Sequence, residues 1–172
     1  MPPSVPPRSD SSTRGRLLVV GLVLLGLAAA ATGIAYQRLQ TRRCLDFYGP
    51  AVARLVTSAP RVELLRLSRG GAPGRLVARE ERDVTSAPGL VHLRRGLVED
   101  ANLDWQRAGA ADRLPDEAWD LAFVFSDPSA PLARATLVID LDDGGSLAVV
   151  GRPGRVGLGR IAKGLEKWVA GL

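Results

Sequence analysis

The chain has 172 residues, a formal net charge of +5 and a single cysteine. One cysteine excludes an intrachain disulfide, so the fold must rest on its apolar core. The excess charge is confined to one end: residues 1–43 carry six Arg and one Asp, whereas residues 44–172 carry seventeen basic and seventeen acidic residues. Because this larger part is neutral, we expect no general attraction to nucleic acid. The preference for Arg over Lys is typical of a high-GC bacterial genome.

Two segments precede the larger part of the chain. Residues 1–16 are rich in Pro and Ser and show no apolar periodicity, which predicts a disordered tail. Residues 17–36 carry no charge, and at about 1.5 Å per helical residue they span about 30 Å, the thickness of a hydrocarbon core. The arginines that bracket them are Arg14, Arg16, Arg38, Arg42 and Arg43. The pattern predicts a single transmembrane helix whose partner is the lipid bilayer.

Two other interpretations of residues 17–36 are weaker. A helix buried in a soluble core is apolar on one face, whereas this segment is apolar all round. A cleaved signal peptide has a shorter apolar core and a clear small-residue cleavage site, and Gly33-Ile34-Ala35 is only a fair match. We therefore expect the segment to be retained as an anchor, with cleavage as the open alternative.

The distribution of arginines does not decide the orientation of this anchor. Lys and Arg near the ends of a transmembrane helix usually set its topology. Here each side has three: Arg8, Arg14 and Arg16 before the segment, and Arg38, Arg42 and Arg43 after it. A short N-terminal tail followed by a C-terminal domain is typical of a signal anchor. We expect a single-pass protein of the cell membrane with its domain on the extracytoplasmic side.

The chain beyond the anchor divides into a juxtamembrane segment, residues 37–48, and a soluble domain, residues 49–172. Gly49-Pro50 interrupts the chain, and the apolar spacing that follows predicts a short helix ending near Ser58. Residues 61–68 alternate as a strand does, with the side chains of Val62 and Leu64 facing inward. A Gly-rich turn then leads to a second predicted strand over residues 75–80.

A helix is predicted over residues 87–102, with Ser86 as its cap and Pro88 in its first turn. Apolar side chains recur here at helical spacing, at Leu90, Leu93, Leu97 and Ala101. Residues 103–118 are predicted to be a polar loop that holds Trp105.

The strongest β signal lies between residues 119 and 149. The first strand is predicted to place four apolar side chains on one face: Trp119, Leu121, Phe123 and Phe125. The second strand repeats the pattern with Leu137, Ile139 and Leu141. An Asp-Asp-Gly-Gly turn over residues 142–145 leads to the third strand, with Leu147 and Val149 on the same face. These signals predict a three-stranded antiparallel meander with one apolar face.

The C-terminal residues form the clearest amphipathic helix of the domain. Apolar side chains recur at i, i+3, i+4 and i+7, at Leu158, Ile161, Ala162, Leu165, Trp168, Val169 and Leu172. Such a helix needs an apolar surface to cover, and the meander provides one. The predicted fold is therefore α+β: a transmembrane helix, then a small domain with a three-stranded antiparallel meander packed against amphipathic helices.

Few residues suggest catalytic or metal chemistry. His92 is the only histidine and lies within a predicted helix, where a surface or half-buried position is the simplest interpretation. Asp140, Asp142 and Asp143 precede Gly144, but Gly144 stands where a calcium loop needs an acidic ligand and no Glu closes the loop. The acidic run is better explained by hairpin chemistry. We expect no metal and no cofactor.

The Gly/Arg-rich loop over residues 151–160 is the strongest candidate for ligand binding. Backbone N–H groups at a helix start, with arginines nearby, can hold an anion. Gly157-x-Gly159 also resembles part of a dinucleotide-binding turn, but no further strand or acidic residue follows at the required distance. The candidate anion-binding residues are Arg152, Arg155, Gly157, Gly159 and Arg160.

Two functional hypotheses follow. In the first, the protein is a single-pass membrane-anchored protein with a small non-catalytic binding or scaffolding domain, whose protein partner is unknown. In the second, the domain binds an anionic ligand, or hydrolyses one, through the loop over residues 151–160. The absence of a recognisable catalytic constellation in the sequence favours the first.

Overall fold

The computed structural model describes residues 11–68, 77–109, 119–130 and 133–172, without the side chains of residues 11–14 and 37–40. The chain forms two compact units, Met1–Leu39 and Gln40–Leu172.

The first unit contains the N-terminal part of helix α1 (Ser11–Ser58). Its stretch Gly15–Tyr36 has a mean hydropathy of 2.5 and none of it is buried. By length and composition, this helix is long and apolar enough to cross a membrane. Residues 1–10 of the predicted tail lie outside the described residues.

The C-terminal part of α1 belongs to the second unit and contributes to its core. The side chains of Cys44 and Tyr48 are buried, so part of the predicted juxtamembrane segment packs within the domain. Gly49 interrupts the helical conformation with φ of 68° and ψ of 160°, values that favour glycine. Pro50 follows it, and the helix ends at Ser58, where the sequence predicted its end.

Among its described residues, the second unit is built on one antiparallel sheet of seven strands. Their order across the sheet is β2-β1-β4-β5-β6-β7-β3. The α+β class is confirmed, but the predicted strand count is wrong, because the three-stranded meander (β4, β5 and β6) is the centre of a larger sheet. The strands are β1 (Arg61–Leu67), β2 (Ala78–Asp83), β3 (Asp104–Gly109), β4 (Leu121–Ser126), β5 (Arg134–Asp140), β6 (Ser146–Val149) and β7 (Arg155–Gly157).

Strands β3 and β7 were expected to be loops. β7 has three residues and lies in the Gly/Arg-rich loop, and β3 pairs with it at Asp104↔Gly157 and Gly109↔Arg155, with an irregular register between these pairs. Strands this short or this polar carry no alternating apolar pattern, so periodicity does not reveal them.

Two further helices lie in the second unit, α2 (Leu90–Val98) and α3 (Ala162–Ala170). α2 is shorter than predicted. Gly89, with φ of 86°, precedes it in place of the predicted Ser86 cap, and Glu99 is extended. A 3₁₀ turn over Asp100–Asn102 follows. A second 3₁₀ turn, Gly159–Ile161, leads into α3.

The main core lies between one face of the sheet and the three helices. The register places Phe123 opposite Leu137, and Leu137 opposite Val149, so the predicted apolar face of the meander is confirmed for these residues. Helices α1, α2 and α3 contribute buried side chains to the same cluster, including Tyr48, Val56, Leu90, Leu97, Leu165 and Val169.

Trp119 does not share this face, contrary to the prediction. It precedes β4 and packs with Leu67, Ala122, Val138 and Ala148 in a smaller cluster. The pairing Ala122↔Val138↔Ala148 shows that this cluster lies on the opposite face of the sheet. Strand alternation does not extend to residue 119, because the strand begins two residues later.

Candidate functional site

An open apolar groove lies between α2 and α3. Its volume is about 370 Å³, within the range of ligand-binding clefts. Its apolar walls are formed by Leu93 of α2 and by Ile161, Leu165 and Trp168 of the C-terminal region. Nearly all of the surface lining the groove is apolar, as expected for a site that binds apolar groups.

Trp168 connects α3 to the segment that precedes α2, on one side of the groove. Its Nε1 donates a hydrogen bond to the carbonyl oxygen of Pro88, 2.7 Å away. Its ring centroid lies 6.1 Å from that of Phe123 in the core, and the side chain is half-buried. Trp168 is therefore fixed in position while it still lines the groove.

Three glycines, Gly89, Gly96 and Gly164, line the groove as well. A Cβ on Gly89 would lie 3.0 Å from Nε1 of Trp168, and one on Gly96 would lie 3.4 Å from Cγ2 of Ile161. A Cβ on Gly164 would have no atom within 4 Å. Glycine inside a helix is less stable than alanine by about 0.5–1 kcal/mol. No described residue comes close enough to position 164 to require glycine there. The absence of a side chain on Gly164 leaves the groove open.

Positive charge lies along the α3 side of the groove. Arg160 lines it, and the exposed Lys163 and Lys167 follow at i+3 and i+7. No carboxylate of the described residues forms an ion pair with these three cations. Glu166 is the only acidic residue of α3. It lies three positions after Lys163, and at two positions from Gly164 it is on the side of the helix away from the groove. On the α2 side, Arg95 is paired with Glu99 at 2.8 Å.

We define the basic stripe as Arg160, Lys163 and Lys167. Arg160 lines the groove itself, and the two lysines lie beside it, so an apolar groove has a basic edge. His92 is exposed on the α2 side of the same groove. From the sequence, His92 is predicted only to lie in a helix, and no role is predicted for the lysines.

A second cluster lies on the opposite face of the sheet, around a buried ion pair. Nη2 of Arg155 lies 2.6 Å from Oδ2 of Asp140, and Nε of Arg155 donates to Oγ of Ser146, also at 2.6 Å. The guanidinium carbon lies 5.2 Å from the centroid of the Trp119 ring. These contacts connect β5, β6 and β7, which is a structural role.

Three acidic residues at this ion pair form the one group, among the described residues, that could hold a metal ion. Carboxylate oxygens of Asp120, Asp140 and Asp142 lie within 4.8 Å of one another. Several of these oxygens already have partners, because Asp140 pairs with Arg155 and Asp120 accepts from the backbone N–H of Leu141 at 2.9 Å. The turn Asp142–Gly144 connects β5 to β6, in agreement with the hairpin interpretation.

The five candidate anion-binding residues are not brought together at one place. Arg155 is engaged by Asp140 and Ser146, whereas the guanidinium of Arg152 lies against Gly49 of α1. Arg160 lines the groove between α2 and α3.

The two glycines of that set have structural surroundings. Gly157 pairs with Asp104 and Ser146 in the sheet. Gly159 has φ of 54°, and a Cβ there would lie 2.7 Å from the carbonyl oxygen of Asn102. Anion binding by the loop over residues 151–160 stays a prediction.

Cys44 and Tyr48 form a buried pair of weak acids next to α2. The Tyr48 hydroxyl donates to the carbonyl oxygen of Leu97 at 2.9 Å. Burial raises the pKa of the Cys44 thiol, and the hydrogen bond and charge of Asp100 raise it further. Burial also raises the pKa of Tyr48. Because the thiolate is the reactive form of cysteine, Cys44 is unsuited to act as a nucleophile.

The groove was not anticipated because amphipathic periodicity predicts which side chains are apolar, and not where two helices leave a gap. The available signals were Gly96 and Gly164 within helices, and a tryptophan near the C-terminus. Comparison with protein-family models, with curated proteins and with solved structures gave no match to this chain.

Proposed function

We propose that the protein is a single-pass membrane-anchored binding protein, and that its folded unit presents the groove between α2 and α3 to a protein partner. Residues 17–36 hold the chain in the bilayer, and the folded unit lies on the extracytoplasmic side. The helix over Gly15–Tyr36, long enough and apolar enough to span a bilayer, supports the anchoring.

The observation that carries the binding role is the groove itself. It is open and apolar, and it combines a rigidly held aromatic ring, Trp168, with a helix glycine, Gly164, that no contact with a described residue explains. Fixed aromatic side chains in concave apolar surfaces are typical anchors of protein–protein binding. An apolar surface that stays exposed does not contribute the stabilisation that its burial would give, about 25 cal/mol per Å² of buried area.

The alternative, an anion-binding or hydrolytic domain, has less support. Arg155 already has a carboxylate and a hydroxyl as partners, and Arg152 lies against the backbone of α1.

Site-specific photocrosslinking in native membranes tests the proposed function. A photoreactive phenylalanine analogue would replace His92, on the groove, in the full-length chain. A matched control would carry it at Glu81, an exposed position of β2. We expect a discrete protein adduct from position 92 and none from position 81.

A further substitution, Gly164→Leu, serves to confirm that the adduct depends on the groove. No described atom lies within 4 Å of a Cβ at Gly164, so the leucine fills the groove without disturbing the core. We expect the adduct from position 92 to disappear. No adduct, or an adduct that survives Gly164→Leu, would contradict the proposed function.

A further inference from the structure

We infer that the partner segment bound in this groove is an amphipathic helix that carries a row of acidic residues beside its apolar face. This inference rests on the proposed function and specifies the chemistry of the partner.

The charges favour an acidic partner. The basic stripe consists of three exposed cations, none of which is paired with a carboxylate of the described residues. The second unit as a whole has no excess charge, since residues 44–172 are neutral overall. The positive field beside the groove is therefore local, and local fields of this kind select partners of opposite charge and fix their register.

The spacing of the charges favours a helix. Arg160 lies in the 3₁₀ turn before α3, and Lys163 and Lys167 follow it at i+3 and i+7 within α3, so the three form a row beside the groove. A partner helix lying along the groove would present acidic side chains at i, i+3 or i+4, and i+7 in a matching row. A single lipid molecule seated in the groove presents one anionic headgroup, which would use only one point of the stripe.

The apolar lining favours the same geometry. Grooves between two helices commonly receive the apolar face of a third helix, with anchors at i, i+3 or i+4, and i+7. The volume of about 370 Å³ is room for a few apolar side chains. Gly164 allows the partner backbone to approach α3 closely, because it presents no side chain.

Fluorescence anisotropy with two designed peptides tests this inference. The full-length protein would be held in nanodiscs of zwitterionic lipid. One labelled peptide carries leucines at i, i+3, i+4 and i+7 with glutamates alongside, and the other has the same sequence with lysine in place of glutamate. We expect the acidic peptide to bind at least about tenfold more tightly. We also expect its affinity to fall as salt is raised from about 50 mM to about 500 mM.

A pair of matched variants locates the charge effect. Lys163→Gln/Lys167→Gln removes two positive charges from the basic stripe, and Arg79→Gln/Arg82→Gln removes two from the exposed strand β2. The first variant should weaken binding of the acidic peptide by about tenfold, the effect of losing two exposed ion pairs. The second should leave the affinity unchanged. Gly164→Leu should abolish binding, and Ala170→Leu, at an exposed position of α3, should not.

Several results would overturn the inference. The two peptides could bind equally, or neither could bind, or the affinity of the acidic peptide could be unchanged in Lys163→Gln/Lys167→Gln. Displacement of the acidic peptide by vesicles of anionic phosphatidylglycerol would also overturn it and would make lipid the occupant. None of these removes a groove-dependent protein adduct from position 92. Failure of the inference is thus distinguishable from failure of the proposed function, which the crosslinking measures.

Discussion

The buried thiol of Cys44 and hydroxyl of Tyr48 make the folded unit sensitive to alkali. Both groups have pKa values raised by burial, so the folded chain keeps protons that the unfolded chain loses above the ordinary values of about 8.5 and about 10. The stability they contribute is complete below those values and is lost as the pH rises towards the raised ones. We expect the free energy of unfolding to decrease by up to about 1.4 kcal/mol per pH unit for each group.

Urea unfolding of the full-length chain in detergent between pH 7 and pH 11 measures this slope. All three tryptophans lie outside residues 17–36, so their fluorescence reports on the folded unit. Tyr48→Phe removes one of the two ionisations and should make the alkaline slope shallower, even where it lowers stability at neutral pH by losing the hydrogen bond to Leu97. A slope identical to that of the wild type would show that Tyr48 ionises normally in the folded state.

Gly89 and Gly164 line the same groove, but only at Gly89 do the backbone conformation and the available space require glycine. Gly89 has φ of 86°, and a Cβ would lie 3.0 Å from Nε1 of Trp168. Gly89→Ala should therefore destabilise the fold by about 1–3 kcal/mol. Gly164→Ala meets no described atom within 4 Å, and it should stabilise α3 by about 0.5–1 kcal/mol. Urea midpoints that move in the same direction for both variants would contradict this assignment.

At the scale of elements, Asp100 fixes the C-terminal part of α1 to the 3₁₀ turn after α2. Its carboxylate accepts the backbone N–H groups of Arg43 at 3.0 Å and of Cys44 at 2.8 Å. The two bonds hold residues inside α1 to the turn that follows α2. Asp100→Ala should lower the free energy of unfolding by about 1–2 kcal/mol. The exposed Asp46 is the control, and Asp46→Ala should change it by less than about 0.5 kcal/mol. Equal effects of the two variants would refute this role of Asp100.

The ion pair between Asp140 and Arg155 connects the strands at one end of the sheet. Arg155→Met leaves the buried carboxylate without its cation and should destabilise the fold by about 3 kcal/mol. Adding Asp140→Asn removes the unpaired charge and retains an oxygen for the N–H of Asp142, which Asp140 accepts at 3.0 Å. The double variant should therefore unfold at a higher urea concentration than Arg155→Met alone. A lower midpoint would show that the charge of Asp140 is stabilised by other groups.

The elements that could be predicted from the sequence are those that bury one face. Burial of one face requires apolar side chains at a regular spacing along the chain. The meander and the C-terminal helix each bury one face, so Phe123, Leu137 and Leu165 are spaced as a strand or a helix requires. Strand β3 and strand β7 were missed because tertiary pairing, and not apolar alternation, makes them strands. Arg155 shows the consequence for the site. Its neighbours in the sequence suggested an anion-binding loop, while its partner Asp140 is fifteen residues away and becomes visible only through the pairing of β5, β6 and β7.

At the scale of the whole molecule, the division into a long apolar N-terminal helix and a folded unit could be predicted because it depends on composition alone. A run without charges is visible in the sequence, and so is the change to balanced charge after it. The groove could not be predicted in the same way. It depends on how the helices α2 and α3 are spaced, and the contacts between the two regions, such as the hydrogen bond of Trp168 to Pro88, join residues 80 positions apart in the chain.

The proposed orientation predicts which side of the membrane the folded unit occupies. Cys44 is 1 % exposed and its thiol pKa is raised, so the wild-type chain should resist maleimide and serve as the blank. Ser86→Cys places a thiol at an exposed position. A membrane-impermeant maleimide should label this variant in intact spheroplasts as fully as after lysis, because the folded unit is extracytoplasmic in the proposed topology.

The same experiment also decides whether the anchor is retained. The labelled chain should sediment with membranes at the mass of the full-length chain, since an uncleaved helix of this length and hydropathy stays in the bilayer. Labelling that appears only after lysis would place the folded unit in the cytoplasm and reverse the orientation. A labelled chain that is soluble and shorter would show that residues 17–36 had been removed. In that case the groove would act on a partner free of the membrane, and the acidic-helix chemistry would be tested with the released domain.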